Sequence, residues 1–465
     1  MWSYQRPPFT RVSRAIRGLC ERAQGRPLNN LIRWCARARG TSKRECSHRE
    51  GPIVQTAQLS GRAEAWRITM PTFARQGKPS INYEMWGSLS SPKLLIISPS
   101  NTALPLLQPY LAGPGGFAKL DRSFHCLAFD HRGTGLSSMP DGSWPDPPTL
   151  RAYAEDTLAL LESVSWTTAH VLAFSFGAAV MQEMMLIAHE QASGVRSYGT
   201  AGAKYSFRPK RVLFVCPAVD VDGTPSGSYP LHSLMELTDR DRAERTLLLA
   251  DTRRDYTWLM SEEGQAAMQY VQNSDAKQQM QGGAFEGRMY QMEARKAHAT
   301  LARLAAATGG TSALPPSSEP SSESSSSEGS KPLLSDGDDA RQHAVAPIAS
   351  VPAHGVRGTS GLCDGEVAIW GGVHDAITPP HATMRLHAAL AGSQLIWFPT
   401  GHWPNLARDC KAEFSHATTS FLTGKGVPPE VYTSSSNAAR AIPTEPQTPA
   451  FESGDCSCLG ACLVM

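Results

Sequence analysis

No run of eighteen consecutive apolar residues occurs in this chain, so no helix of bilayer length is written into it, and membrane contact would have to be peripheral or lipid-mediated. Metal-ligand spacing is missing as well. The ten cysteines, Cys20, Cys35, Cys46, Cys126, Cys216, Cys363, Cys410, Cys456, Cys458 and Cys462, include no paired Cys-x-x-Cys. Their scatter is not a disulfide framework, which points to the reducing interior of a cell. An excess of one charge is lacking too, with 44 Lys and Arg against 42 Asp and Glu, a net +2. No basic patch interleaved with aromatics suggests a nucleic-acid partner.

Acidic residues are scarce over residues 1–60. Arg6, Arg11, Arg14, Arg17, Arg22, Arg26, Arg33, Arg37 and Arg39 face a lone early acid, Glu21, and Val12, Ile16, Leu19 and Ala23 fall at helical spacing. An Arg-rich, acid-poor amphipathic segment resembles a mitochondrial transit peptide. A disordered basic extension, or a start placed too early with the true chain opening near Met70, reads the same residues equally well. No catalytic role is expected here.

What the chain does contain is room for a sizeable core: 465 residues, 41% hydrophobic. Ala65–Met70 and Ile81–Gly87, separated by Gly77-Lys78-Pro79, read as a hairpin. Short apolar runs at Lys93–Ile97, Phe124–Asp130, His170–Phe174, Arg211–Pro217, Glu366–Gly372 and Ser393–Phe398 read as strands. Helical stretches at 149–164, 177–189 and 411–422 alternate with them. That alternation predicts an α/β fold with a mostly parallel sheet and helices on both faces. Between 221 and 307 strand-like runs disappear and Met235–Asp251, Ser261–Gln272 and Ala284–Ala307 look helical. Residues 309–360 are Ser-rich and of low complexity, with too little apolar surface to offset ordering entropy. From Gly424 the composition turns Ser/Pro-rich again, and 426–465 reads as a flexible tail.

The residues that carry chemistry begin at Ala173-Phe174-Ser175-Phe176-Gly177, where an apolar run breaks on a serine and restarts as a small-residue helix. A strand, a sharp turn and a helix would place the Ser175 hydroxyl at the carboxyl edge of the sheet, beside a helix N-terminus. Two later residues, Asp375 and His402, sit on loops just past the late strands, where open α/β sheets place their chemistry. A serine hydroxyl is a weak nucleophile at neutral pH and needs a histidine to take its proton. An acid behind the imidazole fixes its tautomer. Asp220, after the Arg211–Pro217 strand, is the alternative acid; His131 and His374 read as structural or solvent-facing.

Four motifs in this order, Asp130-x-Arg132-Gly133-x-Gly135-x-Ser137, the serine elbow, and the Asp375 and His402 loops, resemble the α/β-hydrolase superfamily. The resemblance covers residues 62–220 and 360–425 and departs from the usual Gly-x-Ser-x-Gly at Ala173. It implies a helical cap over 221–307 and a disordered insertion over 309–360, with no metal or organic cofactor. It also implies an oxyanion hole made of the Phe176 N–H and a second N–H from the turn after Ile97. There relatives often carry His-Gly and this chain has Ser98-Pro99-Ser100-Asn101, so Ser100 is the expected donor and Asn101 the fallback. Serine at the elbow argues against the dehalogenase and epoxide-hydrolase branches, which use aspartate there. Proline iminopeptidases are disfavoured because their Gly-Gly-Ser-Trp-Gly elbow is missing. The expected activity is hydrolysis of a carboxylic ester or related acyl bond in a small-molecule substrate. An acyltransferase or thioesterase on the same residues is the alternative, as is an inactive hydrolase fold serving as a membrane-tethered binding protein.

The last four residues, Cys462-Leu463-Val464-Met465, match a farnesyl-type prenylation signal, with Cys456 and Cys458 as candidates for palmitoylation. One lipid gives marginal attachment, so a second chain would be needed for stable binding. The expectation is a lipid anchor on the cytoplasmic face of a membrane, in competition with the mitochondrial reading of the N-terminus.

Overall fold

The computed structural model describes residues 71–74, 78–104, 120–137, 149–194, 204–219, 234, 237–279, 284–312, 362–405, 410–440 and 442, all within the compact unit Ile68–Met465. Their centre is an eight-stranded sheet of β1 (Thr72–Phe73), β2 (Ile81–Trp86), β3 (Lys93–Ile97), β4 (His125–Phe129), β5 (Thr168–Phe174), β6 (Arg208–Val215), β7 (Val367–Gly372) and β8 (Gln394–Phe398). The spatial order is β1-β2-β4-β3-β5-β6-β7-β8. β1 pairs with β2, and β2 with β4, antiparallel; every later pairing is parallel. This is the α/β-hydrolase fold. β2 (Ile81–Trp86) pairs antiparallel with Thr72–Phe73, while Ala65–Met70, the expected first arm of the hairpin, lies outside the described residues.

The central strands are near-continuous apolar runs because both faces are covered. The pleat sends Leu95, Ile97, Val171 and Ala173 into one core, and Leu94, Ile96, Leu172 and Phe174 into the other. On the first face pack α2 (Leu150–Ser163), α3 (Phe176–Ala192), α8 (Leu301–Thr308) and α9 (Pro380–Ala389). On the second lie α1 (Leu120–Ser123), α10 (Lys411–Leu422) and α11 (Pro429–Ala439), with Trp370 against Phe398, Phe414 and Phe421 at ring separations of 5.6, 5.4 and 6.4 Å. α2 starts at Thr149, whose hydroxyl accepts the Ala152 N–H at 3.1 Å.

Between β6 and β7 the described residues form α4 (Asp239–Ala250), α5 (Tyr256–Met260), α6 (Glu262–Gln279), α7 (Ala284–Lys296) and α8. The expected helix over 284–307 is two helices, broken where His298 and Thr300 turn inward to a buried bond of 2.7 Å. One correction concerns the tail. Residues 429–439 are α11, not flexible chain: Val431, Ser435 and Ala438 are buried against the sheet, and the Ser435 hydroxyl accepts the Trp397 N–H at 2.7 Å. The helical spacing of Val431, Ser435 and Ala438 gives the segment one face to bury, despite its polar composition.

Candidate active site

Ser175 joins β5 to α3 with φ 48° and ψ −111°, a left-handed backbone that serine adopts only under constraint. The constraint comes from the end of β6, the chain just past it and the first turn of α3. The Ser175 N–H donates to Val215 O at 3.0 Å, and Ser175 O accepts from Ala178 N at 3.0 Å and Ala218 N at 3.1 Å. Gly177 explains the one glycine the elbow keeps. A Cβ there would lie 2.4 Å from Ile97 O and 2.7 Å from Ser98 O, so only glycine lets α3 meet the end of β3. Ala173 is fully buried and tolerated.

Asp375 and His402 reach the elbow from the ends of β7 and β8. Their loops are pressed together, since a Cβ on Gly372 would meet Gly401 O at 2.2 Å. The end of α4 and the residues after it hold them from outside: His402 N–H donates to Ala250 O at 2.5 Å, Ala376 N–H to Leu249 O at 3.0 Å, and Thr252 N–H to His374 O at 2.9 Å. His402 Nε2 lies 3.0 Å from Ser175 Oγ and Nδ1 lies 2.8 Å from Asp375 Oδ2. Ser175, His402 and Asp375 are 4, 3 and 2% exposed. A carboxylate only accepts, so Nδ1 carries the hydrogen and Nε2 presents its lone pair to the serine hydroxyl.

Asp375 is itself fixed. Oδ1 accepts from Ile377 N at 2.8 Å and Thr378 N at 2.9 Å, and Thr378 Oγ1 lies 2.7 Å from Oδ2, 3.0 Å from Cys216 O and 3.2 Å from His402 Nδ1. Thr378 and Cys216 were not singled out by sequence reasoning. The Asp375-x-x-Thr378 spacing was the available signal, since Asp side chains bond backbone two or three residues on. Cys216 Sγ, an Asp375 oxygen and a His402 ring nitrogen lie within 4.8 Å of one another. Burial and the Asp375 charge push the Cys216 thiol well above its ordinary pKa, keeping it protonated, while Nδ1 is engaged by Asp375.

The other expected residues fare differently. Phe176 is the first residue of α3, so its N–H has no intrahelical partner and stands beside Ser175. On the turn after β3, Asn101 N–H donates to Gln291 Oε1 at 2.8 Å, which removes Asn101 as the fallback donor and leaves Ser100. Asp220 lies outside the described residues, as do Cys456, Cys458, Cys462 and the basic N-terminal segment. His131 is structural: burial holds its pKa down to about 4, its Nε2–H donates to Ser98 O at 3.0 Å, and its ring packs edge-on against Phe176 at 5.3 Å.

The Asp130–Ser137 motif acts as a support. Asp130 accepts from Leu104 N at 2.7 Å, Leu136 N at 2.9 Å and Asn82 Nδ2 at 2.9 Å, bonds that oppose the upward pull of burial on its pKa. A Cβ on Gly135, at φ 56°, would lie 2.3 Å from Asp130 Oδ2. Arg132 Nε meets Asp156 Oδ2 at 2.5 Å, tying the turn to α2.

Residues 105–414 match the sequence profile of the Alpha/beta hydrolase family, more than half of the chain. This chain belongs to the alpha/beta hydrolase family. Among curated relatives of this hydrolase, BpoC of Mycobacterium tuberculosis, which carries the name of a non-heme bromoperoxidase, is 30% identical over 103 residues. That match covers 20% of this chain and 37% of the relative, so the chain spans little more than a third of the curated relatives it matches. Among solved structures, the hydrolase is similar to a hydrolase from Pseudomonas aeruginosa PA01 (18% identity, 77% of this chain and 99% of that one, TM-score 0.49). It is also similar to the enol-lactonase from Burkholderia xenovorans LB400 (16% identity, 76% and 100%, TM-score 0.48).

Proposed function

We propose that this hydrolase cleaves a carboxylic ester or related acyl bond in a small molecule through an acyl-enzyme intermediate on Ser175. The observation that carries the reading is the continuous line from Asp375 through His402 to the serine hydroxyl, with contacts of 2.8 and 3.0 Å. Ser175 Oγ attacks the acyl carbon while its proton passes to His402 Nε2. Asp375 stabilises the imidazolium without taking the proton itself. The developing oxyanion is received by backbone N–H groups, that of Phe176 and one from the Ser98–Thr102 turn, for which Ser100 is our choice. Collapse breaks the bond to the leaving group, which takes the proton from Nε2. Water then attacks the acyl ester by the same route, releasing the acid and free serine.

Fluorophosphonate labelling and turnover of short acyl p-nitrophenyl esters test the proposal. Labelling of the parent at Ser175 supports it. An unlabelled, inactive parent turns the reading toward a binding protein on a hydrolase fold, and turnover that rises with an added alcohol or thiol acceptor turns it toward acyl transfer. Membrane attachment through Cys462 is a separate proposal resting on the tail sequence; a Cys462→Ser variant that fractionates with membranes as the parent does would overturn it.

A further inference from the structure

One face of α7 touches three of the loops around Ser175. Gly287, Gln291 and Arg295 are spaced four residues apart and so share that face. At Gly287 a Cβ would lie 1.8 Å from Gly133 O, so the helix rests directly on the backbone of the turn after β4. Arg295 Nη2 donates to Ile377 O on the Asp375 loop at 3.3 Å. Between them Gln291, 0% exposed, reaches two turns far away in sequence. Its Oε1 accepts the Asn101 N–H at 2.8 Å and its Nε2 donates to Thr134 Oγ1 at 2.8 Å. The amide has one workable orientation, because a flip would set its NH2 against the Asn101 N–H.

The bond to Asn101 falls on a strained residue. Its φ is 52°, the left-handed region, in a turn that also contains Pro99. A strained residue persists only where its surroundings over-determine it. Here Gln291 contributes to that determination from the cap, 190 residues later in the chain.

We propose that Gln291 is a positioning residue for acyl transfer: from the cap it fixes the Ser98–Thr102 turn, and so the second oxyanion donor, relative to Ser175. This rests on the acyl-transfer reading above. A donor displaced by about 1 Å forfeits on the order of 10²-fold in rate, and binding of the ground state is much less affected.

The test is steady-state kinetics on p-nitrophenyl acetate, with active sites counted by fluorophosphonate titration. Gln291→Leu keeps the volume and loses both amide functions; kcat is expected to fall roughly 10- to 100-fold with KM changed less than about threefold. Gln291→Glu retains an oxygen opposite the Asn101 N–H and is expected to recover most of that loss. If the Leu variant does not fold, Gln291→Asn, one methylene too short to reach Asn101, takes its place with the same expectation. Unchanged kcat in the folded variant overturns the proposal, as does an equal loss in the Leu (or Asn) and Glu variants. A parent that no fluorophosphonate labels removes the acyl-transfer reading beneath it, whereas a labelled parent with an unaffected Gln291 variant removes only this inference.

Discussion

Two turns border Ser175, one after β5 and one after β3, and they are built in opposite ways. The β5 turn is made by its neighbours: Phe174, Ser175, Phe176 and Gly177 are contiguous, Val215 at the end of β6 and Ala218 just past it supply backbone bonds, and α3 begins at once. The β3 turn, Ser98–Thr102, carries its own left-handed residue, Asn101, yet draws its support from His131 below and Gln291 above. A local turn announces itself in a short sequence pattern. One held by remote side chains does not, although both border the same serine.

The comparison can be broken at several points. The largest effect is expected from Ser175→Ala, which should reduce ester turnover by about 10⁴- to 10⁶-fold and abolish fluorophosphonate labelling. Next comes Gly177, where the two turns meet. Gly177→Val places branched carbon against Ile97 O and Ser98 O, neither of which can yield. The expected result is a loss of about 10²-fold in kcat together with about 1–3 kcal/mol of stability, read by kinetics and denaturant titration. Thr378→Val removes the hydroxyl between Asp375 and Cys216 O. About a tenfold fall in kcat is expected, restored in Thr378→Ser.

The smallest effect concerns pH. Burial holds His131 at about 4 and His298 at about 3, the latter also opposed by Arg295 and Arg303, against 6.5 for a free imidazole. From pH 6.5 downward the unfolded chain therefore binds protons that the folded chain refuses, and stability falls as pH falls toward 4. Thermal melts between pH 7 and 5 should drop by several degrees, and His298→Gln, which can still donate to Thr300 Oγ1, should flatten that slope.

Much of the sheet was legible because doubly buried strands are apolar runs and the crossover helices have a different period. Ser175, Asp375 and His402 were legible because each sits just past such a run. The supports were not. Gln291 is one polar residue on a helix rich in them, and only the packed structure reveals that it is enclosed. Thr378 and Cys216 depend on where β6 ends relative to the β7 loop, which no local pattern encodes. Helix α11 was hidden by composition, since Thr433, Ser434, Ser435, Ser436 and Asn437 read as tail. Its opening Pro428-Pro429 and the Val431–Ala438 spacing were the overlooked signs.

That last helix bears on how the protein can be handled. β8 ends the sheet, and a terminal strand with open N–H groups invites pairing with another molecule. Ser435 blocks the Trp397 N–H, and the Tyr432 hydroxyl donates to Gln394 Oε1 at 3.1 Å. A shortened version stopping near residue 425, where the composition suggests a natural cut, would strip that guard and should self-associate; one stopping after residue 442 should stay monodisperse by light scattering if the parent is.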